Sequence, residues 1–534
     1  MKSIGFKNFR RFENLEPLQL GNITFFVGQN NAGKSTVVKA MMLLLDNLGA
    51  RVLNTNSSNT FDAPAFLLDA NRIHEVHIGT FGRALHKPYP EQKELVLEAE
   101  IDNYYFRYIL TGDTESKQAN ADIAKLEFTN KSNNVQYSFD FIQGEAIIRY
   151  NTAILKKFSG EYDRVNPEDI DKLQSRLDVL QKQRADILAE QKTFEGDAVQ
   201  LARINANYKA IDRQIVKLRR IIDPFDGKLK IEDTEYKCSI QLDKTLDRMN
   251  LISELLYDIS SRFEERIRIT DSDENGRFSI SKPSKLTERD KMFGRMIDDE
   301  VMQISWLRRK NKIEYISAHA ASQKVLFSIE DKNDYMASVI REFKQCRINK
   351  GDKEERFITR WMNELKVGLG YDIEPISGEA YAIDIINMQG ETMPLADMGM
   401  GSIQIMLLLL KLATIIHEKR GDGCIVIVEE PEQNIHPQLQ SKLTELFAEV
   451  NQEYKFRFVI ETHSEYMIRK SQVQVAEMQF ANQDELNKMC PVRTYYFPSE
   501  GEPYQMVYRT DGNFENDFGS GFYDVAADLA FQTL

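Results

Sequence analysis

Gly28-Gln29-Asn30-Asn31-Ala32-Gly33-Lys34-Ser35-Thr36 is the stretch whose reading decides the fold. Ile23-Thr24-Phe25-Phe26-Val27, a short run of β-branched and aromatic residues, precedes it, and Val37 to Leu48, apolar and long enough for a helix, follows it. The spacing predicts strand, glycine loop and helix in that order, the setting a phosphate-binding loop requires. Gly28 and Gly33 let the backbone curl so that successive N–H groups point inward at phosphate oxygens. The helix that follows adds its positive end to the same anion. Lys34 is placed to reach β- and γ-phosphates, and the Ser35 hydroxyl to ligand Mg²⁺. Gly28, Asn30, Asn31, Gly33, Lys34, Ser35 and Thr36 are therefore the candidate nucleotide contacts of this loop. A glycine turn that binds nothing would explain the glycines, but not the agreement of loop, strand and helix.

With 534 residues the chain has room for about three domains and a large core. Its hydrophobic fraction of 42% is that of a globular protein. The longest apolar stretch, Ile403 to Ile416, is broken by Gln404 and Lys411 and is shorter than the ~20 residues of a membrane helix. No signal-peptide core follows Met1, so a cytoplasmic protein is expected. Cys238, Cys346, Cys424 and Cys490 are far apart and form no Cys-x-x-Cys pair, which argues against a zinc site or a disulfide framework. His74 and His77 are near neighbours in a polar loop, where ordinary surface histidines are the commoner case. The net charge of −13 argues against non-specific sheathing of nucleic acid but leaves local basic faces open.

Along the chain, residues 94 to 110 and 125 to 150 largely alternate apolar and polar side chains, which predicts an antiparallel sheet after the glycine loop. Asn166-Pro167-Glu168-Asp169 reads as a helix start. Ile170, Leu173, Leu177 and Leu180 follow at spacings of three and four; after a polar break near Gly196, Ile204, Tyr208, Ile211, Ile215, Leu218 and Ile222 do the same. Narrow apolar stripes with polar sides predict an antiparallel coiled-coil hairpin about 30 Å long; two amphipathic helices lying on a core is the other reading. Lys209, Arg213, Lys217, Arg219 and Arg220, Arg308-Arg309-Lys310, and the stretch from Arg341 to Arg347 are candidates for nucleic-acid or partner contact, although a solvated helix face is the commoner source of such charges. Residues 245 to 310 read as mostly helical with a polar loop from Thr270 to Pro283, and Lys312 to Ile316 as a strand.

Two further stretches carry chemistry. Leu395 to Gln404 sets two glycines and a serine (Gly399, Gly401, Ser402) at the start of an apolar helix, an anion-binding device or a plain glycine turn. Cys424 to Val428 is a buried strand of the parallel-sheet kind, ending in Glu429-Glu430-Pro431-Glu432. Acids at the carboxyl end of such a strand sit where open α/β sheets bind ligands. The first, Glu429, suits the Mg²⁺ shell; the second, Glu430, suits activation of a water. A second buried strand, Phe456 to Ile460, ends in Glu461-Thr462-His463-Ser464, and His463 is placed to contact a γ-phosphate or the hydrolytic water.

The glycine loop, Gly399-Met400-Gly401-Ser402, Glu429-Glu430-Pro431-Glu432 and Thr462-His463-Ser464, in this order, resemble the ATP-binding-cassette ATPases of the SMC, RecF and OLD group. The resemblance implies an α/β fold: an ATPase head built from N- and C-terminal parts, with an inserted helical region that includes the hairpin. The expected division is 1–160, first part of the head; 161–225, hairpin; 226–311, helical insert; 312–534, second part of the head. It further implies ATP and Mg²⁺ at Lys34 and Ser35, Glu430 as catalytic base and His463 as switch histidine. Gly399, Gly401, Ser402 and Gln404 would form a signature loop that completes the site of a second subunit, so a homodimer or larger oligomer is expected. The loop here has an inserted Met and no Leu-Ser-Gly-Gly run.

Within that group, the short hairpin, the Glu429-Glu430-Pro431-Glu432 strand end and the compact C-terminus look like those of the ATPase subunits of Septu-type and retron-associated anti-phage systems. That implies a separately encoded HNH endonuclease as partner, with a reverse transcriptase and its RNA/DNA product in the retron case, and no membrane. OLD enzymes carry a nuclease with an Asp-x-Asp cluster after the ATPase core. The 71 residues after His463 hold Asp511, Asp517 and Asp524 but no such cluster, so no nuclease of its own is expected. Gly519 to Asp524 reads as a docking segment or an ordinary surface turn. The alternatives are a stand-alone DNA-repair ATPase acting on DNA ends, and a nucleotide-binding interaction module that turns over slowly or not at all.

Overall fold

The computed structural model describes residues 1–48, 64–69, 77–91, 93–158, 167–193, 198–222, 235–242, 251–262, 268–272, 278–281, 288–317, 321, 323–331, 334–418, 424–519 and 523. The architecture is mixed α/β and is organised on two large sheets.

The central sheet runs in the order Ile313–Ile316, Ile425–Glu429, Arg457–Thr462, Ile23–Gly28, Val492–Phe497, Tyr504–Met506. All neighbours are parallel except the last pair. The strand that feeds the glycine loop thus lies between two strands from the far end of the chain, and the N- and C-terminal parts share one sheet. Both faces are covered, as parallel sheets require. Phe26 enters the first hydrophobic core, while Phe25 and Val27 enter the second. Ile427 and Val459 likewise face the first core, and Val426, Val428, Phe458 and Ile460 the second.

The first core is roofed by an antiparallel sheet in the order Glu235–Gln241, Glu145–Asn151, Val135–Asp140, Asn120–Asn130, Tyr104–Thr111, Leu95–Ile101, Ser3–Phe9, Phe12–Gln19, with Ala65–Leu67 against Asn120–Asn130. The alternation expected over 94–110 and 125–150 is realised in its middle strands. Helix Lys34–Asn47 packs between the two sheets and buries Val37, Val38, Met41, Met42, Leu43 and Leu44. The second core is built around helix Met400–His417. That helix is long and apolar enough to cross a membrane by length and composition, and it is buried inside the protein. Lys411, inside it, is satisfied by Glu314 and Glu342, each at 2.9 Å.

Helices Pro167–Thr193 and Ala198–Ile222 pack on each other through Leu177, Leu180 and Ile215, with Ile211 and Leu218 beside them. Arg184 bonds Asp212 at 2.9 Å, and Gln191 bonds Asn205 nearer the tip, so the arms run antiparallel. With arms of 27 and 25 residues, the pair is about 40 Å long rather than 30 Å. The expected helix cap at Asn166, the reversal near Gly196, His74, and most of the 519–524 segment lie outside the described residues.

Two readings change. Residues 226–311 are not only helical: Glu235–Gln241 adds an outer strand to the antiparallel sheet. Tyr236, Cys238 and Ile240 alternate with polar neighbours there, a period-2 signal shorter than the helical runs on either side. The loop expected from Thr270 to Pro283 contains most of a hairpin, Arg268–Ser272 with Phe278–Ser281. The polar residues between the two strands dominate the composition and hide the β-branched and aromatic flanks.

Helix Glu288–Lys310 is pinned to the antiparallel sheet by one buried carboxylate. Glu300, 1% exposed, accepts from the hydroxyls of Tyr104 and Tyr137 and from Asn130 Nδ2, the last at 3.2 Å to each oxygen. Burial raises its pKa, against the lowering effect of these three hydrogen bonds. Glu300→Ala should orphan the buried Tyr137 hydroxyl and leave Tyr104 and Asn130 to share Gln303 Oε1, lowering stability by about 2 kcal/mol, read as a shift of the denaturant midpoint. A shift of only a few tenths of a kcal/mol would show that the cluster does not hold the helix.

Candidate active site

The glycine loop is locked by contacts that exclude side chains. Gly28 has φ +141°, and a Cβ there would lie 2.1 Å from the Phe497 carbonyl oxygen of the adjacent strand. Gly33 has φ +100° and caps the helix; a Cβ there would lie 2.4 Å from the Phe12 ring. Asn31 adopts the left-handed conformation between them, with φ +59°. Asn30 and Asn31 are exposed, and Thr36 is buried at the start of the helix.

Lys34 is 3% exposed, and its ammonium needs partners. It donates to the Gly28 and Gln29 carbonyls at 3.1 and 3.0 Å, lies 3.3 Å from His463 Nε2, and is 3.8 Å from Glu461 Oε1. Burial holds its pKa below the ordinary lysine value, opposed by Glu461, Glu430 and Glu432. Ser35 Oγ contacts both Glu461 oxygens, at 3.0 and 2.9 Å.

The acids come from the neighbouring strand ends. Glu429 and Glu461 are register partners on adjacent parallel strands. The chain bends immediately after Glu429: Glu430 has φ +42°, and its N–H donates to the Glu461 carbonyl at 2.7 Å. Glu430 Oε1 then lies 3.7 Å from His463 Nε2, and its other oxygen accepts from Gln433. Glu432 takes the His463 backbone N–H at 2.6 Å, which ties the two strand-end loops together; its second oxygen is buried with no hydrogen-bond partner among the described residues. Burial raises the Glu432 carboxyl, and it pushes Glu461 up to about 7, with Glu429 adding to the rise and Lys34 opposing it. Burial, and after it Lys34, lower the His463 pKa, so a neutral imidazole faces the lysine.

Lys34, Ser35, Glu430 and His463 therefore meet, although 429 positions of sequence separate Lys34 from His463. Gly399, Gly401, Ser402 and Gln404 are elsewhere. They open helix Met400–His417, and Gly401 packs against the loop after Glu432, where a Cβ would lie 2.4 Å from the Asn434 carbonyl. Gly399 is exposed with open space around its Cα hydrogen, and Gln404 is buried.

Three groups were not picked out from sequence. A cavity of about 590 Å³ opens over the loop, and besides Lys34 it is lined by Arg10, Arg11, Arg83 and Lys87. Arg11 also clamps the loop, donating to the Asn31 carbonyl at 2.6 Å. Burial, and then the Arg83 guanidinium, hold Arg10 below its ordinary pKa. Cations crowded in this way around backbone N–H groups are suited to a polyanion. Their signal was diffuse: Arg10 and Arg11 stand in a turn between two strands, and Arg83 and Lys87 in a stretch with no periodicity. Glu461 is the third group, a lone strand-end acid overshadowed in sequence by Glu429-Glu430. The oxygens of Ser35, Glu461 and Glu429 are hard donors of the kind Mg²⁺ takes, so the residues present fit that ion.

Residues 1–468 match the family model described as an AAA ATPase domain. No curated protein matches the chain. Among solved structures, the Smc head domain of Pyrococcus furiosus with an extended coiled coil, bound to the C-terminal domain of ScpA, aligns over 95% of this chain and 96% of that one, at 10% identity and a TM-score of 0.32. The Smc head of Pyrococcus yayanosii with a coiled coil and joint aligns over 96% and 97%, at 10% identity and 0.31. The SMC head domain of Thermotoga maritima aligns over 95% and 98%, at 8% identity and 0.31. With the family model spanning 468 of its 534 residues, the chain belongs to the AAA ATPase domain family.

Proposed function

We propose that this chain binds and hydrolyses ATP at the junction of its N- and C-terminal parts. The observation that carries the reading is the meeting of Lys34, Ser35, Glu430 and His463 above one anion-binding loop. The loop N–H groups and the rim of Arg10, Arg11, Arg83 and Lys87 hold the triphosphate. Lys34 exchanges its carbonyl partners for phosphate oxygens. Ser35 and Glu429 would hold Mg²⁺, which would supply charge neutralisation at the β- and γ-phosphates.

Glu430 orients a water in line with the γ-phosphorus and takes its proton as the new P–O bond forms. The bond from that phosphorus to the β–γ bridging oxygen breaks, and ADP leaves with the electron pair. His463, neutral and anchored through its N–H on Glu432, orients the water or the γ-phosphate. Gly399, Gly401, Ser402 and Gln404 act on the nucleotide of a second copy; the exposure of Gly399 at the start of helix Met400–His417 supports that reading. The short helix pair and the Glu429-Glu430-Pro431-Glu432 strand end, which resemble those of Septu-type ATPase subunits, support a defence role: the ATPase subunit of an anti-phage system that scaffolds and regulates an HNH nuclease in the cytoplasm, with a reverse transcriptase and its product in the retron form. The helix pair of about 40 Å is short for tethering distant DNA, which counts against the stand-alone repair reading.

Two measurements test this. Lys34→Ala should abolish ATP binding, whereas Glu430→Gln should bind ATP as wild type and lose turnover about 10²- to 10⁴-fold, the size of a general-base contribution. Full turnover by Glu430→Gln would refute the base. Affinity purification from the native host should recover an HNH nuclease with the chain; recovery of DNA ends and no nuclease would favour the repair ATPase.

A further inference from the structure

We infer that Glu461 is a direct ligand of the metal ion that accompanies the nucleotide, alongside Ser35. This rests on the ATP reading above and deepens it. Glu461 ends the strand Arg457–Thr462 and is in register with Phe26 on one side and Glu429 on the other. Its side chain is 7% exposed and sits under the first turn of helix Lys34–Asn47.

Three observations converge on it. First, the carboxylate straddles Ser35 Oγ at 2.9 and 3.0 Å. Ligands on one Mg²⁺ octahedron lie 2.0–2.1 Å from the ion, so adjacent ligands stand about 2.9 Å apart. The two side chains are therefore already spaced as neighbouring corners of that shell. Second, the carboxylate is under-used. Ser35 has one hydroxyl proton to give, while an ionised carboxylate accepts at about four sites. The Lys34 ammonium at 3.8 Å is beyond hydrogen-bond reach. Third, the charge balance changes when a triphosphate arrives. Lys34 turns to the phosphates, and Glu461 and Glu429 are left side by side against them. A divalent cation between these oxygens removes the repulsion, and Ser35 can coordinate it with a lone pair once its proton no longer bridges to Glu461.

The test measures ATP affinity with and without Mg²⁺ for wild type, Glu461→Gln and Glu461→Asp, with thermal melting of each to confirm folding. Glu461→Gln should bind metal-free ATP at least as tightly as wild type, because one negative charge near the phosphates is gone. Its gain in affinity on adding Mg²⁺ should fall about 10- to 100-fold, and Glu461→Asp should keep part of the gain. A full wild-type gain in Glu461→Gln would overturn the assignment. So would equal loss of ATP binding with and without metal in a protein that melts normally, which would make Glu461 a prop for the loop. If wild type bound no ATP in either condition, the ATPase reading itself would fall.

Discussion

A buried ammonium sets the terms for this structure. Lys34 is 3% exposed, and an unpaired charge so placed would cost several kcal/mol. The loop supplies two carbonyls, but His463 and Glu461 come from the other end of the chain. The strand Ile23–Gly28 can offer the lysine to them only by inserting between Arg457–Thr462 and Val492–Phe497. Gly28 permits that insertion by letting the Phe497 carbonyl approach where a side chain would stand. The composite head thus brings the partners of this one buried lysine together from both ends of the chain.

The site divides its charge by origin. The cations over the cavity, Arg10, Arg11, Lys34, Arg83 and Lys87, all come from the first ninety residues. The carboxylates gathered around Lys34 and His463, Glu429, Glu430, Glu432 and Glu461, all come from the C-terminal part, and Glu461 lines the cavity itself. A nucleotide with its metal suits both sets, its phosphates facing the cations and its ion facing the carboxylates. Tension among the acids is visible without the ion. Burial and Glu429 push Glu461 up to about 7, and the Lys34 ammonium only partly offsets them.

Much of this was legible in the residues. The loop, the paired acids and His463 announce themselves because each is a short local pattern at the end of a buried strand, and strand ends are where open sheets place chemistry. The alternation over 94–110 gave the antiparallel sheet for the same reason. What depended on tertiary placement did not show. Arg83 and Lys87 stand in a stretch with no period, and only the folded chain carries them to Gly33. Glu461 looks like one more acid until the register sets it beside Ser35. The strand Glu235–Gln241 has a seven-residue signal between two helical ones, and the strand pair at 268–272 and 278–281 hides behind the polar residues between them.

The most direct test of the central claim is an experimental structure of the Glu430→Gln protein with ATP and Mg²⁺. The account predicts one triphosphate on the glycine loop, with Lys34 turned from the Gly28 and Gln29 carbonyls onto its β- and γ-phosphates, and position 430 and His463 both facing the γ-phosphate. A nucleotide bound elsewhere, or a triphosphate on the loop with those two side chains directed away from it, would contradict it.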